Sequence, residues 1–562
     1  MRFPSNQKSN YLKQGKENNS MKGFIVIFLI ISTTSMISKS QQVWYVDDVL
    51  TNGNGSSASP FNNINDGLTN AMPGDTIVVK PGNYSQEITT VRNGSISARI
   101  TIKAFNPNNR PVLSRSGRVF KINNDFITID GLVLHGQYGS SDIMQIDEAH
   151  NVSVKNCEIK EGKRDGLDIY NSNNCLIDNC EIHHVLNGTY TNQADAHCIV
   201  AAGQKNLTVR NCNLYYCSGD CFQSDPNRTL PLWDSIVIEN CKLWTGPLPT
   251  DAAGFNAGEI PGENAVDTKI CADSLSYGYR PKILLTNIEA YGFINNSFIN
   301  NRAAFNIKEN VKCIMNRIKV YNNEISFRLR GPGSRGGAHV TIKNSIAYDN
   351  EKVFRIEDNI ELLHIYNSTF HKDNHYDYIQ LAGGGYDASG FEMKNCLFMG
   401  SKPTDASHSS NITANSSFFI NATNNDYHLV DGSSPIDAGV AIAEVTDDFD
   451  GNLRPVGLNY DIGAFEYDPN VSVFENNDFS FSVFPNPATN KIVVRVNNYE
   501  NSQINIKIAD VRGRTLFISD FIFSHTKPEQ KIDISRFNDG IYFLLIKQDD
   551  VCETKKIIKN SF

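Results

Sequence analysis

Residues 151–159 read NVSVKNCEI, and the same arrangement returns as NCLIDNCEI at 174–182, NLTVRNCNL at 206–214 and SIVIENCKL at 235–243. Each copy alternates apolar and polar residues over a few positions, then breaks at an Asn followed by a Cys. Weaker copies follow as IKVYNNEI (318–325), VTIKNSIAY (340–348), LLHIYNSTF (362–370) and FEMKNCLF (391–398), with GFINNSFI (292–299) inside the longest gap. The cysteines of the first two copies stand 23 residues apart and those of the next two 29. A period of that length is a solenoid's. Alternation without any sustained 3.6-residue periodicity makes the coils from strands rather than helices. The fold expected is all-β: a right-handed parallel β-helix with Asn and Cys ladders inside its turns.

A second strand recurs in each coil, as DGLDIY, AHCIVA, DCFQSD, NAVDTK, AFNIKE, SFRLRG, VFRIED and YIQLAG. Its apolar positions are assigned inward: Leu167 and Ile169, Cys198 and Val200, Phe222 and Ser224, Val266 and Thr268, Phe305 and Ile307, Phe327 and Leu329, Phe354 and Ile356. Period two then turns the intervening residues outward. The outward columns hold Asp168, Tyr170, His197, Gln223, Asp225, Asp267, Lys269, Asn306, Lys308, Arg328, Arg330, Arg355 and Glu357. Parallel strands stack such columns at about 4.8 Å per coil. GENAVDTK at 262–269 is thus one rung of a charged ladder.

The chain has 562 residues and a net charge of −9, which argues against nucleic-acid binding because phosphate contacts need a basic field. Lys22, the apolar run 23–31 and small residues near Ser38 and Ser40 form a secretory signal peptide beginning at Met21 and too short to span a membrane. The polar residues before Met21 read as an upstream start, and the mature chain begins near Gln41 with no membrane span. Of 12 cysteines, Cys157, Cys180, Cys212, Cys241 and Cys396 occupy the repeat position after Asn and read as stacked buried thiols. Cys217 and Cys221 in CSGDC are the one local pair whose bridging is open. His183 and His184 read as loop residues. The expected organisation is 1–40 upstream segment and signal, 41–467 β-helix, 468–478 linker and 479–562 a small C-terminal β-sandwich, in a monomeric chain.

Lys269, Lys308, Arg328, Arg330 and Arg355 fall on successive coils of one face of an acidic protein, and like charges stacked so closely need acidic neighbours or an anionic ligand. Asp195, Asp220, Asp225, Glu263 and Asp267 gather on the preceding coils as hard oxygen donors, a candidate Ca²⁺ site. A groove of this kind suits an anionic polysaccharide and β-elimination at a uronic acid. Cations neutralise the C6 carboxylate, a basic side chain removes the C5 proton, and another group protonates the leaving O4. Lys269, Arg330 and Lys308 are the catalytic candidates, with Lys269 as base and Arg330 expected to matter as much. His197, Gln223, Asn306, Arg328 and Arg355 are the substrate-binding candidates. Glu357, one coil beyond, is expected to matter little.

The segment YVDDVLTNGNGSSASPFNNINDGLTNAMPGDTIVVKPGNYSQEI (45–88) resembles the opening of secreted parallel β-helix proteins, with FNNINDGLTNAM as a capping helix and PGDTIVVKPGNY starting the first coil. SSPIDAGVAIAEVTDDFDGNLRPVGLNYDIGAFEY (433–467) resembles their closing element. FSVFPNPATNKIVVRV, IADVRGRTLF and GIYFLLIKQDDVCETKKIIKN resemble the C-terminal sorting domain of the type IX secretion system. That resemblance implies the secretion machinery as a partner and a secreted or surface-attached protein. RDGLDIY, QADAHCIV and SGDCFQSD look like calcium-site strands of pectate lyases, which would make Asp165, Asp168, Asp195 and Asp220 ligands. GENAVDTK with the later FRLRGPG looks like the Lys and Arg pair of alginate and dermatan lyases. The chain departs from both: an extra coil, AAFNIKE, separates the two strands, and Asp267 stands where pectate-type enzymes place a Lys. A polygalacturonase-like hydrolase and a non-catalytic glycan binder are the alternative readings. The polymer, the metal and endo or exo action stay open.

Overall fold

The computed structural model describes residues 41–48, 51–224, 232–271, 274–333, 335–372, 377–469, 480–497, 503–510, 514–522, 529–548 and 551–560. The expected signal segment, most of the expected linker and Asp225 lie outside these residues. The chain divides into two compact units, up to Val185 and from Leu186 onward.

In the first unit the strands pair in parallel from coil to coil. Val43–Val46 pairs with Thr76–Val79, which pairs with Ile100–Ala104, then Ile127–Asp130, Ser153–Lys155 and Leu176–Asp178. The coils therefore begin one strand earlier than PGDTIVVKPGNY. The expected capping helix is present at Ile64–Asn70, where the Asn63 side chain accepts the backbone N–H of Asn65 and Ile64, Gly67 and Leu68 are buried. A second wall runs from Asn83–Tyr84 to Glu181–Val185, and a third from Ile88–Thr89 through Phe120–Ile122 and Met144–Asp147 to Leu167–Tyr170. His183 and His184 are not loop residues; they lie in strand Glu181–Val185 with their Nδ1 atoms 2.6 Å apart.

The second unit continues the same pattern in its own coils. Ser235–Trp244, Lys282–Tyr291 and Lys312–Tyr321 pair in parallel along their length. Each bends at one residue in the left-handed region: Asn240, Asn287 and Arg317, with φ of 54°, 53° and 58°. That register corrects the repeat alignment on two coils. The corner residue is Asn287, not part of GFINNSFI, and Arg317, not an Asn of IKVYNNEI. Asn322 and Asn323 belong to a different corner, where Asn323 Nδ2 donates to Asn350 Oδ1 at 2.9 Å. Both corners use left-handed Asn, so residue type alone does not tell them apart. Arg317 holds the position because its guanidinium pairs with Asp447 and its Nε donates to Asp448 O at 3.0 Å.

The opposite wall carries the charged ladder: Ile199–Ala202, Phe222–Ser224, Asn264–Thr268, Ala303–Ile307, Ile325–Arg330, Lys352–Glu357 and Ile379–Ala382, all parallel. Inside, Phe305, Phe327 and Phe354 stack at 5.6 and 5.4 Å, each fully buried. Each such ring contributes roughly 1.5–3 kcal/mol by burial, which locks the register that aligns the outward residues. One rung departs from expectation. Ile199 pairs with Phe222 and Ala201 with Ser224, so Ile199 and Ala201 point inward in place of Val200, while Cys198, just before the strand, is buried as expected. The run Cys198–Ala202 is apolar throughout and offers no alternation from which to read its parity.

The C-terminal region is a sandwich of two antiparallel sheets. One holds Ser480–Phe484, Lys491–Asn497 and Glu529–Asp533; the other holds Thr515–Ile522, Gln503–Asp510, Gly540–Gln548 and Val551–Lys559. Ile492 and Val494 from the first meet Ile506, Ile508, Leu544 and Ile546 from the second in one core.

Candidate functional site

Asp267, Asn306, Arg328 and Arg355 are register partners on consecutive coils, and Arg330 pairs with Glu357. The alternation of GENAVDTK accounts for this: Val266 and Thr268 turn inward, which presents Asp267 and Lys269 to the cleft. A cleft of about 210 Å³ is lined by Glu263, Asn264, Asp267, Lys269, Asn306, Lys308 and Arg328, together with Ile299–Arg302 from the preceding loop. Arg330 and Arg355 lie farther along the ladder, outside that lining.

Asp267 is only 3% exposed. Lys308 Nζ lies 2.9 Å from its Oδ1 and Lys269 Nζ 3.8 Å from its Oδ2. Burial and the neighbouring Asp220 push its carboxyl up to about 6, while the two lysines oppose the rise. Asp220 is oriented by Asn264 Nδ2 at 2.7 Å and by His197 Nε2 at 3.5 Å. Burial raises it, but the hydrogen bonds and charge of His197, with Asn264 and Lys269, hold it below the usual carboxylate range. Glu263 is pushed up to about 7 by burial and then by Asp220, Asp195 and Asp267. His197 reaches the cleft from the turn before its strand, with Nε2 3.0 Å from Gln223 Nε2. Gly219 permits this, since a Cβ there would stand 2.9 Å from the His197 ring. Gln223 Oε1 and Asn306 Oδ1 are buried with no hydrogen-bond partner among the described residues.

The cations farther along are not a bare basic strip. Glu357, 5% exposed, accepts from Arg328 Nε at 3.2 Å, lies 3.1 Å from Arg330 Nε and pairs also with Arg355. Asp358 adds a second contact to Arg330 at 3.3 Å, and Arg355 donates to Gln380 at 2.7 Å. Glu357, expected to matter little, is the hub that keeps three guanidiniums stacked. Burial opposes its ionisation, but Arg355 and Arg328 outweigh that and hold its carboxyl below the ordinary glutamate range. Its stabilising contribution is therefore fully present above the unfolded glutamate value and is lost as pH falls through the lower folded value. Glu357→Gln should flatten the acid limb of the stability profile, measured as melting temperature between neutral and acid pH. It should also lower activity by releasing Arg328.

The acidic candidates form one electrostatic cluster, but no three of their carboxylates bring oxygens within 4.8 Å of one another among the described residues. Asp267 is taken by two lysines. Asp195, Asp220 and Glu263 have the hard-oxygen chemistry of Ca²⁺ ligands, although Asp220 already faces His197 and Asn264. Asp165 and Asp168 belong to the first unit, where burial, Asp142 and Asp165 push Asp168 up to about 7 against a hydrogen bond from Gln145.

Arg302 was not legible in the sequence. It is 1% exposed, donating to Ile294 O at 3.0 Å and Pro261 O at 2.9 Å behind Glu263. Nothing in NNRAAF marks it, because its role comes from a loop folding back over the cleft.

Stacked parallel coils, with a cleft of paired lysines and carboxylates on one wall, define a right-handed β-helix protein. Residues 44–374 match the family described as "Pel9A-like, right handed beta helix region", and the chain belongs to that family. Residues 482–560 match the secretion system C-terminal sorting domain, which directs type IX export to the exterior or the cell surface. Among solved structures, pectate lyase Pel9A is 16% identical with a TM-score of 0.47, covering 76% of this chain and 97% of its own. An alginate lyase from Paenibacillus sp. str. FPU-7 is 16% identical (TM-score 0.33; 57% and 95% coverage). A rhamnogalacturonan lyase is 14% identical (TM-score 0.35; 63% and 87%). These likenesses are of fold. No curated protein matches the chain significantly. No described helix is long and apolar enough to cross a membrane.

Proposed function

We propose that the protein is a secreted polysaccharide lyase that cleaves a uronate-containing polysaccharide by β-elimination. The observation that carries this reading is the cleft around Asp267, where two lysines and Arg328 converge beside buried, unpartnered amide oxygens of Gln223 and Asn306. Their free lone pairs can accept hydrogen bonds from a hydroxyl-rich ligand. Membership in a family named for Pel9A supports the same class of substrate.

Lys269 is the base, because its Nζ stands farther from Asp267 than that of Lys308 and its side chain is more exposed, 30% against 15%. As the neutral amine it takes the C5 proton and becomes the ammonium. Lys308, whose ammonium lies 2.9 Å from Asp267 Oδ1, donates a proton to O4 as the C4–O4 bond breaks and the C4–C5 double bond forms. Arg328 neutralises the C6 carboxylate, whose charge grows as the proton leaves. Asp195, Asp220 and Glu263 would hold Ca²⁺, which adds positive charge at that carboxylate. Chelation is expected to abolish activity and added calcium to restore it, read as initial rate.

The purified protein incubated with a panel of anionic polysaccharides should produce the ultraviolet absorbance of an unsaturated uronate. New reducing ends without that absorbance would make it a hydrolase, and retention without cleavage a binder. Deleting residues 479–562 should leave the lyase active but block its export from the native host, read by immunoblot of the medium; wild-type secretion would reject the tail's role.

A further inference from the structure

Beneath the turn that carries His197 and Asp220 lie three cysteines. The sulfurs of Cys198, Cys217 and Cys221 all stand within 4.8 Å of one another, and those of Cys217 and Cys221 are 3.9 Å apart. All three are at most 1% exposed. Other buried cysteines behave differently. Cys157, Cys180, Cys212, Cys241 and Cys396 each turn their S–H to the carbonyl two residues earlier, at 3.1–3.4 Å, as rungs of a ladder.

A disulfide needs sulfurs at about 2.05 Å. An ion bound by thiolates at about 2.3 Å instead sets its sulfurs roughly 3.8–4.0 Å apart at tetrahedral or trigonal angles. The Cys217–Cys221 separation matches the second geometry. We propose that Cys198, Cys217 and Cys221 bind one thiophilic d¹⁰ cation, Zn²⁺ or Cu⁺, inside the coil that supports the candidate active site. Soft thiolate donors select these ions over calcium or magnesium. Binding releases the thiol protons, which otherwise point to backbone carbonyls such as Leu214 O, 3.4 Å from Cys221 Sγ, and Tyr215 O, 3.7 Å from Cys198 Sγ. Cys198 adjoins His197 and Cys221 adjoins Asp220 in the chain, so the ion braces the turn that presents both side chains. The inference does not depend on the lyase reading.

The test is elemental analysis of the purified full chain after equilibration with Zn²⁺, or with Cu⁺ under reductant, and removal of excess ion. One ion per chain is expected, retained in Cys241→Ala and lost in Cys217→Ala and in the milder Cys217→Ser. In wild type the ion should protect three cysteines from alkylation and raise the melting temperature. The arm that loads the chain at the lower free-ion concentration identifies the ion. No bound metal in either arm overturns the proposal, as does metal retained in both Cys217 variants. So does a peptide spanning 217–221 that has lost two hydrogens, which would show a disulfide in its place.

Discussion

Lys269→Ala should lower lyase turnover by at least about a hundredfold, the low end for a positioned proton transfer, while leaving the melting temperature close to wild type. The side chain points into the cleft from a strand whose register is fixed by the buried partners Val266 and Phe305, so its truncation removes chemistry and little packing. Initial rates from product absorbance, with a thermal melt on the same sample, separate the two effects. Arg328→Ala should also be severe. Arg330→Ala, which the sequence ranks with Lys269, should cost less than Arg328→Ala, because Arg330 is held by Glu357 and Asp358 outside the cleft lining. Full activity in Lys269→Ala would remove it from the mechanism and transfer the base to Lys308.

The largest stability loss is expected at the closing segment, from Glu466→Ala. Arg454 and Glu466 form an ion pair whose side chains are both 0% exposed. The same guanidinium donates to Asp447 O and Gly463 O at 2.9 Å each, and Glu466 accepts the backbone N–H of Asp461 and Val456 at 2.9 Å. Removing the carboxylate takes the counter-charge from a buried guanidinium and the acceptor from the Asp461 and Val456 N–H groups, a loss of about 3–5 kcal/mol. Denaturant unfolding of the full chain should show it as a lower midpoint. The double change Arg454→Met with Glu466→Leu should cost less than Glu466→Ala alone, since the guanidinium leaves together with its carboxylate partner. If the double variant were the less stable, the ion pair would be contributing specific structure beyond its charge balance.

The ladder from Asp267 to Arg355 was legible because strict alternation in NAVDTK, AFNIKE, SFRLRG and VFRIED leaves one assignment that buries the apolar residues. The parity of the strand after His197 is not legible, since the apolar run 198–202 carries no period-two signal. Glu357 was undervalued for a different reason. A carboxylate in a column reads as one more surface charge, and only the register sets three guanidiniums around it. Arg317 at a corner built elsewhere by Asn was hidden likewise, because its left-handed backbone depends on Asp447 and Asp448, 130 or more residues away.

By itself, then, the sequence determined what repeats: strand periodicity, corner residues, the alternating face and the sorting tail are local patterns in which each residue's neighbours along the chain carry the information. The tertiary structure decided what converges. Which coil supplies the partner of each charge, how Asp267 is shared between Lys269 and Lys308, and where Arg302 and the three thiols meet depend on stacking distances of about 4.8 Å between segments tens of residues apart. Coulombic and hydrogen-bond energies act over those distances in space and carry no trace in linear spacing.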